Sequence, residues 1–248
     1  MTQLVRERLA RAASVCVLTG SGISAESGLP TFRGAGGLWR TLPVQQLASP
    51  EGFAQDGELI WTWYNERRAA HRAAEPNAGH VALAALERSV SDFTLVTQNV
   101  DSLHLRAGSQ NVLELHGDLR AARCDGCGTM RSLDVPLVPS EIGHACGGRF
   151  RPNIVWFGES LPQQVWEPAV SAAARADVVL VVGTSGIVQP AALLATRFPR
   201  PEAFVVEINT ERTAITERAD AVMRGPAALL LPAIIETGLG PVVSCAAQ

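Results

Sequence analysis

Three small groups of residues carry the chemistry open to this sequence. The first is Gly20-Ser21-Gly22-Ile23-Ser24-Ala25, the G-x-G-x-x-G/A pattern in which glycines let the backbone approach a pyrophosphate. A tight turn would show the same pattern, and no acidic residue closes a second strand about 20 residues on, as an ordinary dinucleotide fold requires. The chain instead continues Glu26-Ser27-Gly28-Leu29-Pro30-Thr31-Phe32-Arg33-Gly34, with Gly36 and Gly37 beyond, which reads as a loose flap over a cofactor. Hydride transfer has no need of such a flap; cleaving a dinucleotide does, because the ribosyl cation must be kept from water. The second group is Cys124-Asp125-Gly126-Cys127, spaced as half of a zinc knuckle, with His144-Ala145-Cys146 as the return half. Imidazole is an ordinary zinc ligand, so His144 is expected to complete a structural Cys3His site with no position open to water. The other reading is a solvated His144 beside an empty or metal-poor site. The third group is Tyr64, the chain's one tyrosine, and Arg67. Three residues apart on a predicted helix, they share a face. A phenol and a guanidinium together make a donor pair for a carboxylate, unless Tyr64 is packing and Arg67 a solvated helix residue.

These groups need elements to hold them. Val15–Thr19, Phe93–Thr97, Val112–Leu115, Ile154–Phe157, Val178–Gly183 and Phe204–Ile208 read as strands, several with the continuous β-branched runs of a sheet buried on both faces. Helical stretches at Leu59–Ala73, Gly79–Arg88, Val165–Ala174 and Ala191–Arg197 alternate with them. The expectation is an α/β fold: a doubly wound, mostly parallel Rossmann-like sheet, whose ligands bind at the carboxyl ends of the strands. Polar and glycine-rich residues follow the strands there, at Gly20–Gly22, Gln98–Asp101, His116–Gly117, Gly158–Glu159, Gly183–Ser185 and Asn209. Residues 34–60 are irregular ahead of a helix, and residues 118–152 hold three cysteines and a histidine without long periodicity. The expected division is therefore a Rossmann-like domain over 1–33, 76–117 and 153–248, a helical and flexible lobe over 34–75, and a zinc-binding module over 118–152.

Composition narrows the function classes. The 248 residues are 47% hydrophobic and 18% charged, a folding composition. No apolar run approaches the ~20 residues of a membrane span. After Arg6, Arg8 and Arg11 only Val15–Leu18 follows as an apolar block, short of the roughly 7–15 residues of a signal-peptide core. A net charge of −3 makes no electrostatic case for nucleic acid or an anionic membrane. A soluble, cytoplasmic monomer is expected. Five unevenly clustered cysteines argue against a disulfide scaffold. All 21 basic residues are arginine, which codon bias would explain and which excludes Schiff-base or Walker-type lysine chemistry on this chain.

Longer blocks make the reading specific. Gly20 to Arg33, Thr97-Gln98-Asn99-Val100-Asp101-Ser102-Leu103-His104, His116-Gly117, Val155-Trp156-Phe157-Gly158-Glu159 and Gly183-Thr184-Ser185 resemble the signature blocks of the sirtuins, NAD-dependent protein-lysine deacylases. They occur in family order, and the resemblance spans about residues 15–232. Ser21 stands where alanine is usual. The resemblance implies that the acyl oxygen of a modified lysine displaces nicotinamide from NAD, giving free lysine and O-acyl-ADP-ribose. It places NAD against Gly20, Ser21, Gly22, Ser24, Ala25, Glu26, Thr31, Phe32 and Arg33, with Trp39 beyond. It also assigns the nicotinamide carboxamide to Asn99 and Asp101, with Val100 between them, and the nearby ribose to Gln98. His116 would be the general base, an imidazole near ~6.5 suiting that task at neutral pH; His104 reads as structural, His71 and His80 as surface or packing. Gly183, Thr184 and Ser185, with Asn209, Thr210 and Glu211, would hold the adenosine half, and Ala227 would lie against adenine. Val155, Phe157, Gly158 and Glu159 on one side and Gly186–Val188 on the other would take an extended acyl-lysine peptide as a strand between them. Tyr64-x-x-Arg67 resembles the sirtuin class preferring succinyl, malonyl or glutaryl lysine, and small Ala48 leaves room for the longer acyl chain. A plain lysine deacetylase, a mono-ADP-ribosyltransferase and a non-catalytic NAD-binding module are the alternatives.

Overall fold

The computed structural model describes residues 1–32 and 43–235; Arg33 and Trp39 lie outside them. The strands are β1 (Ser14–Thr19), β2 (Asp92–Thr97), β3 (Val112–Glu114), β4 (Gly117–Cys124), β5 (Met130–Ser132), β6 (Phe150–Ile154), β7 (Val178–Val182), β8 (Phe204–Asn209) and β9 (Ala221–Arg224). The helices are α1 (Thr2–Arg11), α2 (Val44–Leu47), α3 (Pro50–Gln55), α4 (Gly57–Ala73), α5 (Ala78–Ser89), α6 (Leu103–Arg106), α7 (Gln163–Arg175), α8 (Leu193–Thr196) and α9 (Ala227–Ile234).

Six strands form one parallel sheet in the order β3-β2-β1-β7-β8-β9. β7 is buried along its whole length, and β1 and β2 beyond their first residues, because helices cover both faces. On one face Val5 and Leu9 of α1, Leu83 and Leu86 of α5, and Leu231 and Ile234 of α9 pack against Val17, Leu180 and Val206. On the other, Ala169, Ala172 and Ala173 of α7 and Leu194 of α8 meet Leu18, Val179 and Val181. Each fully buried Val or Leu contributes roughly 1.5–3 kcal/mol of transfer free energy. The chain leaves β1 towards β2 on one side and returns to β7 on the other, so a crevice opens at this switch point, beyond the carboxyl end of β1.

The segment expected as a strand at Ile154–Phe157 is corrected here. The strand is β6, it ends at Ile154, and it belongs to a second, antiparallel sheet of three strands in the order β5-β4-β6. An apolar run reports burial but not the partner strand, and β4, starting directly after His116, is that partner. Gly117 makes the departure from the parallel sheet at φ 75°, and a Cβ there would stand 2.2 Å from the Asn153 carbonyl oxygen. α4 packs on this small sheet through Ile60, Trp61 and Tyr64, which share a core with Leu119, Phe150, Ile154 and Trp156. The stretch expected to be irregular before α4 contains α2 and α3. Ser49 starts α3 by accepting the Gly52 amide at 3.0 Å, and Asp56 starts α4 by accepting the Leu59 amide at 2.9 Å. Four elements escaped the sequence reading: α1, whose apolar face is only Val5 and Leu9, the short edge strand β9, and β4 and β5 of the small sheet.

Candidate active site

A cavity of about 920 Å³ opens over the ends of β1, β2, β7 and β8 and reaches the face of α4. Its floor is backbone. Gly22 and Gly183 approach so closely that a Cβ on Gly22 would lie 2.7 Å from the Gly183 Cα, and one on Gly183, at φ 61°, 2.5 Å from the Ile23 nitrogen. The Gly22 amide donates to the Gly183 carbonyl at 2.8 Å. Bare backbone at this switch point is what lets a phosphate-bearing ligand come near. Side chains tie the strand ends together. Gln98 donates from Nε2 to Thr184 Oγ1 at 2.9 Å, and Asn209 from Nδ2 to the Thr184 carbonyl at 2.9 Å.

His116 stands where β3 gives way to β4. It shares a 3.0 Å hydrogen bond through Nδ1 with the Gln98 carbonyl. A carbonyl only accepts, so Nδ1 carries the proton and Nε2 keeps a free lone pair. Burial lowers the imidazole pKa, the Gln98 bond opposing this in part, so the ring is a neutral base at pH 7. Asn99, 6% exposed, anchors its Nδ2 on the Gly20 carbonyl at 3.1 Å and on Ser24 Oγ at 3.2 Å. Ser24 in turn donates to Asp101 Oδ2 at 2.7 Å, while Asp101 Oδ1 accepts the Leu103 amide at 2.9 Å. Burial raises the Asp101 pKa.

The opposite wall is aromatic and cationic. The Arg67 guanidinium lies 4.7 Å from the Phe32 ring centroid and 4.8 Å from that of Trp63. No carboxylate lies within ion-pairing distance of it among the described residues. Tyr64 is 3% exposed, and its hydroxyl accepts the Trp156 indole N–H at 3.0 Å. Ala48 forms part of the same wall, and its carbonyl takes the Phe157 amide at 3.0 Å, while Val155 donates to the His116 carbonyl at 2.9 Å. Phe157 and Ile187, 42% and 61% exposed, flank the mouth.

Residues 20–190 match the Sir2 family. The chain is 49% identical over 234 residues to NAD-dependent protein deacylase 2 of Pyrobaculum aerophilum, covering 94% of each protein. It is 44% identical over 241 residues to NAD-dependent protein deacylase 1 of Pseudomonas aeruginosa, covering 93% of this chain and 96% of the relative. Among solved structures, an ADP-ribose complex of a Sir2 homologue superposes with a TM-score of 0.91 at 42% identity, covering 95% of each chain. A Sir2 homolog–NAD complex gives 0.88 at 42% identity, over 94% of this chain and 92% of that one. This chain belongs to the Sir2 family.

In this Sir2 protein most of the positions singled out in the sequence meet at one cavity. It is lined by Gly20, Ser21, Gly22, Ala25, Thr31, Phe32, Gln98, Asn99, Val100, Gly183, Thr184, Ser185, Asn209, Thr210 and Glu211, and also by Ala48, Tyr64, Arg67, Val155, Phe157, Gly158, Glu159 and Val188. Four expected contacts stand back from it. Ser24 and Asp101 lie behind Asn99 in the hydrogen-bonded group described above. Glu26 accepts the Ala228 amide at 3.4 Å, and Ala227, 5% exposed, packs in the core beside α5. His104 is buried in α6, with Nε2 3.0 Å from Thr19 Oγ1. Of the two readings open for His71 and His80, packing holds: both are buried, and desolvation lowers each pKa to about 4. What sequence reasoning missed is the support behind Tyr64, formed by Trp156 and Arg151. Trp156 stood inside a recognised block, but only the folded chain brings its indole to the phenol.

The metal-ligating expectation meets its geometry. One ligand atom each from Cys124, Cys127, His144 and Cys146 lies within 4.8 Å of the others. His144 Nδ1 is 3.1 Å from Cys146 Sγ, and Cys124 Sγ 3.5 Å from the same sulfur. Tetrahedral bonds of ~2.0–2.3 Å set ligand atoms roughly 3.5 Å apart. Three thiols and an imidazole so spaced fit a structural zinc.

Proposed function

We propose that this Sir2 protein is an NAD-dependent protein-lysine deacylase that prefers acidic acyl groups such as succinyl and malonyl over acetyl. The observation that carries the preference is the Tyr64–Arg67 pair. Arg67 has no carboxylate partner among the described residues, it is half-buried, and desolvation disfavours its charge. The Asp101 carboxylate offsets that desolvation only in part and from beyond ion-pairing distance. A cation kept in an aromatic wall without a contact counter-ion is stabilised when a ligand brings one, and guanidinium binds carboxylate with two parallel hydrogen bonds.

NAD, as co-substrate, supplies a ribose carbon with nicotinamide as its leaving group. The chain's residues supply the rest. The close-packed glycines of the rim would let backbone amides approach the phosphates of NAD. Asn99, its amide nitrogen already anchored, presents Oδ1 as an acceptor for a carboxamide N–H, and Ser24 and Asp101 fix it from behind. Once the acyl oxygen has displaced nicotinamide from the ribose carbon, His116 Nε2 takes the proton of a ribose hydroxyl as that oxygen attacks the imidate carbon, a role requiring the neutral ring that burial favours. The lysine nitrogen leaves as the free amine, and water supplies the oxygen that completes O-acyl-ADP-ribose. Ala48, Phe157 and Ile187 give an apolar path for the lysine stem. A solved Sir2 enzyme in complex with a deacetylated p53 peptide and 3'-O-acetyl ADP-ribose, at 29% identity and a TM-score of 0.86, supports an acyl-lysine peptide as the partner here. The cytoplasmic placement belongs to the same reading; no helix among the described residues is long and apolar enough to cross a membrane.

The test is one peptide carrying acetyl-, malonyl- or succinyl-lysine, assayed with NAD for nicotinamide release and deacylated product. Succinyl kcat/KM is expected to exceed acetyl by about tenfold or more, the worth of one charge-assisted pair. Equal rates would remove the acidic preference. Label transferred to protein without deacylation would favour the transferase, and no nicotinamide release from any peptide would end the enzymatic reading.

A further inference from the structure

Behind Tyr64 runs a chain of polar contacts that the reaction itself does not use. Trp156 is 2% exposed, and its indole Nε1–H donates to the Tyr64 hydroxyl at 3.0 Å. The Arg151 guanidinium lies 3.5 Å from the Trp156 ring centroid. Arg151, itself buried, donates from Nη2 to Glu159 Oε2 at 2.8 Å, and the Trp156 backbone amide donates to that same oxygen at 2.8 Å. The Glu159 carboxylate therefore holds both the cation over the indole and the backbone that carries it.

A phenol oxygen has one proton to give and accepts at its lone pairs. With the indole N–H filling the acceptor role from the protein side, the phenol proton must point away from Trp156. Among the described residues no acceptor takes it. The remaining direction is the cavity, where Arg67 stands one helical turn along. Desolvation raises the Tyr64 pKa, so that proton stays on the oxygen. A cation against the face of an indole withdraws charge from the ring and strengthens its N–H as a donor.

We propose that Trp156 is a positioning residue for acyl-group choice: backed by Arg151 and Glu159, its indole N–H orients the Tyr64 hydroxyl so that phenol and Arg67 together receive the carboxylate of an acidic acyl group. This rests on the acidic preference proposed above. An acetyl group presents no carboxylate, so the orientation of the phenol proton gives it nothing.

Trp156→Phe keeps an apolar ring and deletes the donor. It is expected to lower kcat/KM on a succinyl-lysine peptide about tenfold more than on the acetyl form of the same peptide, with the loss appearing in KM for the succinyl peptide. Because Trp156 acts through the Tyr64 hydroxyl, Trp156→Phe combined with Tyr64→Phe should be no more selective a loss than Tyr64→Phe alone. Equal losses on the two peptides, or additive effects in the double variant, overturn the proposal. Should Trp156→Phe fail to fold, the unaltered chain still decides. Of its five indole N–H resonances, that of Trp156 should shift on adding succinyl-lysine peptide and not on adding the acetyl form; an equal shift with both overturns it. Arg67→Met separates the layers. If that variant leaves the succinyl-to-acetyl ratio unchanged, the acidic preference itself is wrong; if it collapses the ratio while Trp156→Phe does not, only the role of Trp156 falls.

Discussion

The two walls of the cavity offer a ligand different physics. On the rim of the parallel sheet the contacts are backbone: Gly20, Gly22 and Gly183 meet at van der Waals limits, and Gln98 and Asn209 clamp Thr184. On the α4 side the contacts are aromatic side chains around Arg67: half-buried Trp63 and Phe32 against its guanidinium, with buried Tyr64 packed on Trp63. A backbone surface admits few substitutions and suits a ligand that never varies, such as a dinucleotide. A side-chain surface changes specificity by single replacements and suits an acyl group that differs between substrates. The rim is built on the large sheet; the α4 wall leans on the small one. α4 reaches that sheet and the segment following β5 through four donors on one face: Trp61 to the Phe150 carbonyl at 2.9 Å, Asn65 to that of Leu137 at 3.0 Å, Arg68 to that of Leu119 at 2.9 Å, and Arg72 to that of Leu133 at 2.6 Å.

The largest effect expected from breaking this contrast is therefore at the metal ligands. The purified chain should carry about one zinc, and chelation should lower its melting temperature by roughly 10 °C or more while weakening acyl-peptide binding more than ADP-ribose binding. His144→Ala should reduce the zinc content; an unchanged content would remove His144 from the site, and equal weakening of both ligands would detach α4 from the small sheet. On the rim, His116→Ala should lower deacylation of every acyl peptide by about 10³-fold, within the range for a general base, with little change in melting temperature. Burial lowers the His116 pKa, and the base must be unprotonated, so kcat/KM should rise with pH through an acid limb lying below the ordinary imidazole value. A limb above that value, or a loss under tenfold, would assign the base elsewhere.

Arg67→Met tests the other wall. It should cost about 10–100-fold on succinyl-lysine relative to acetyl-lysine and leave KM for NAD little changed. A similar loss on both peptides would make Arg67 a structural residue of α4.

The two walls were also unequally legible in the sequence. β1, β2, β7 and β8 are buried on both faces, and such strands read as unbroken apolar runs whose ends locate the rim. The pairing of β6 with β4 could not be read, because hydrophobicity along one segment says nothing about which strand lies beside it. α1 hides its role behind arginines, since only Val5 and Leu9 face the core. Tyr64 and Arg67 were visible because helical spacing puts them together. Trp156 and Arg151 were not, because they come from β6 and the loop after it and meet α4 only in the folded chain. His71 and His80 show the same limit from the other direction. One histidine in a helix carries no mark of burial, and both prove to be enclosed.

These two histidines also give the smallest and sharpest comparison, since His71 lies on α4 and His80 behind the rim. Asn77 donates its backbone amide to His80 Nδ1 at 3.3 Å, Ser24 Oγ lies 3.5 Å from Nε2, and the His104 ring stands 4.8 Å away. His71 has the positive charge of Arg67 adding to its desolvation. With native pKa values of about 4 against the ordinary 6.5, the unfolded chain binds more protons between those two pH values. Stability should therefore be level above pH 6.5 and fall as pH drops towards 4, each histidine adding up to about 1.4 kcal/mol per pH unit. Melting temperatures of the unaltered chain, His71→Gln and His80→Gln across that window separate the two sides. His104 and His116 are lowered by burial as well, and Glu114, raised to about 7, opposes them, so either replacement should flatten the slope by about a quarter to a third. At pH 5 the Arg67-facing side should open first, read as faster amide exchange in α4 than in α5. A slope that neither replacement changes would place the acid sensitivity in groups other than these.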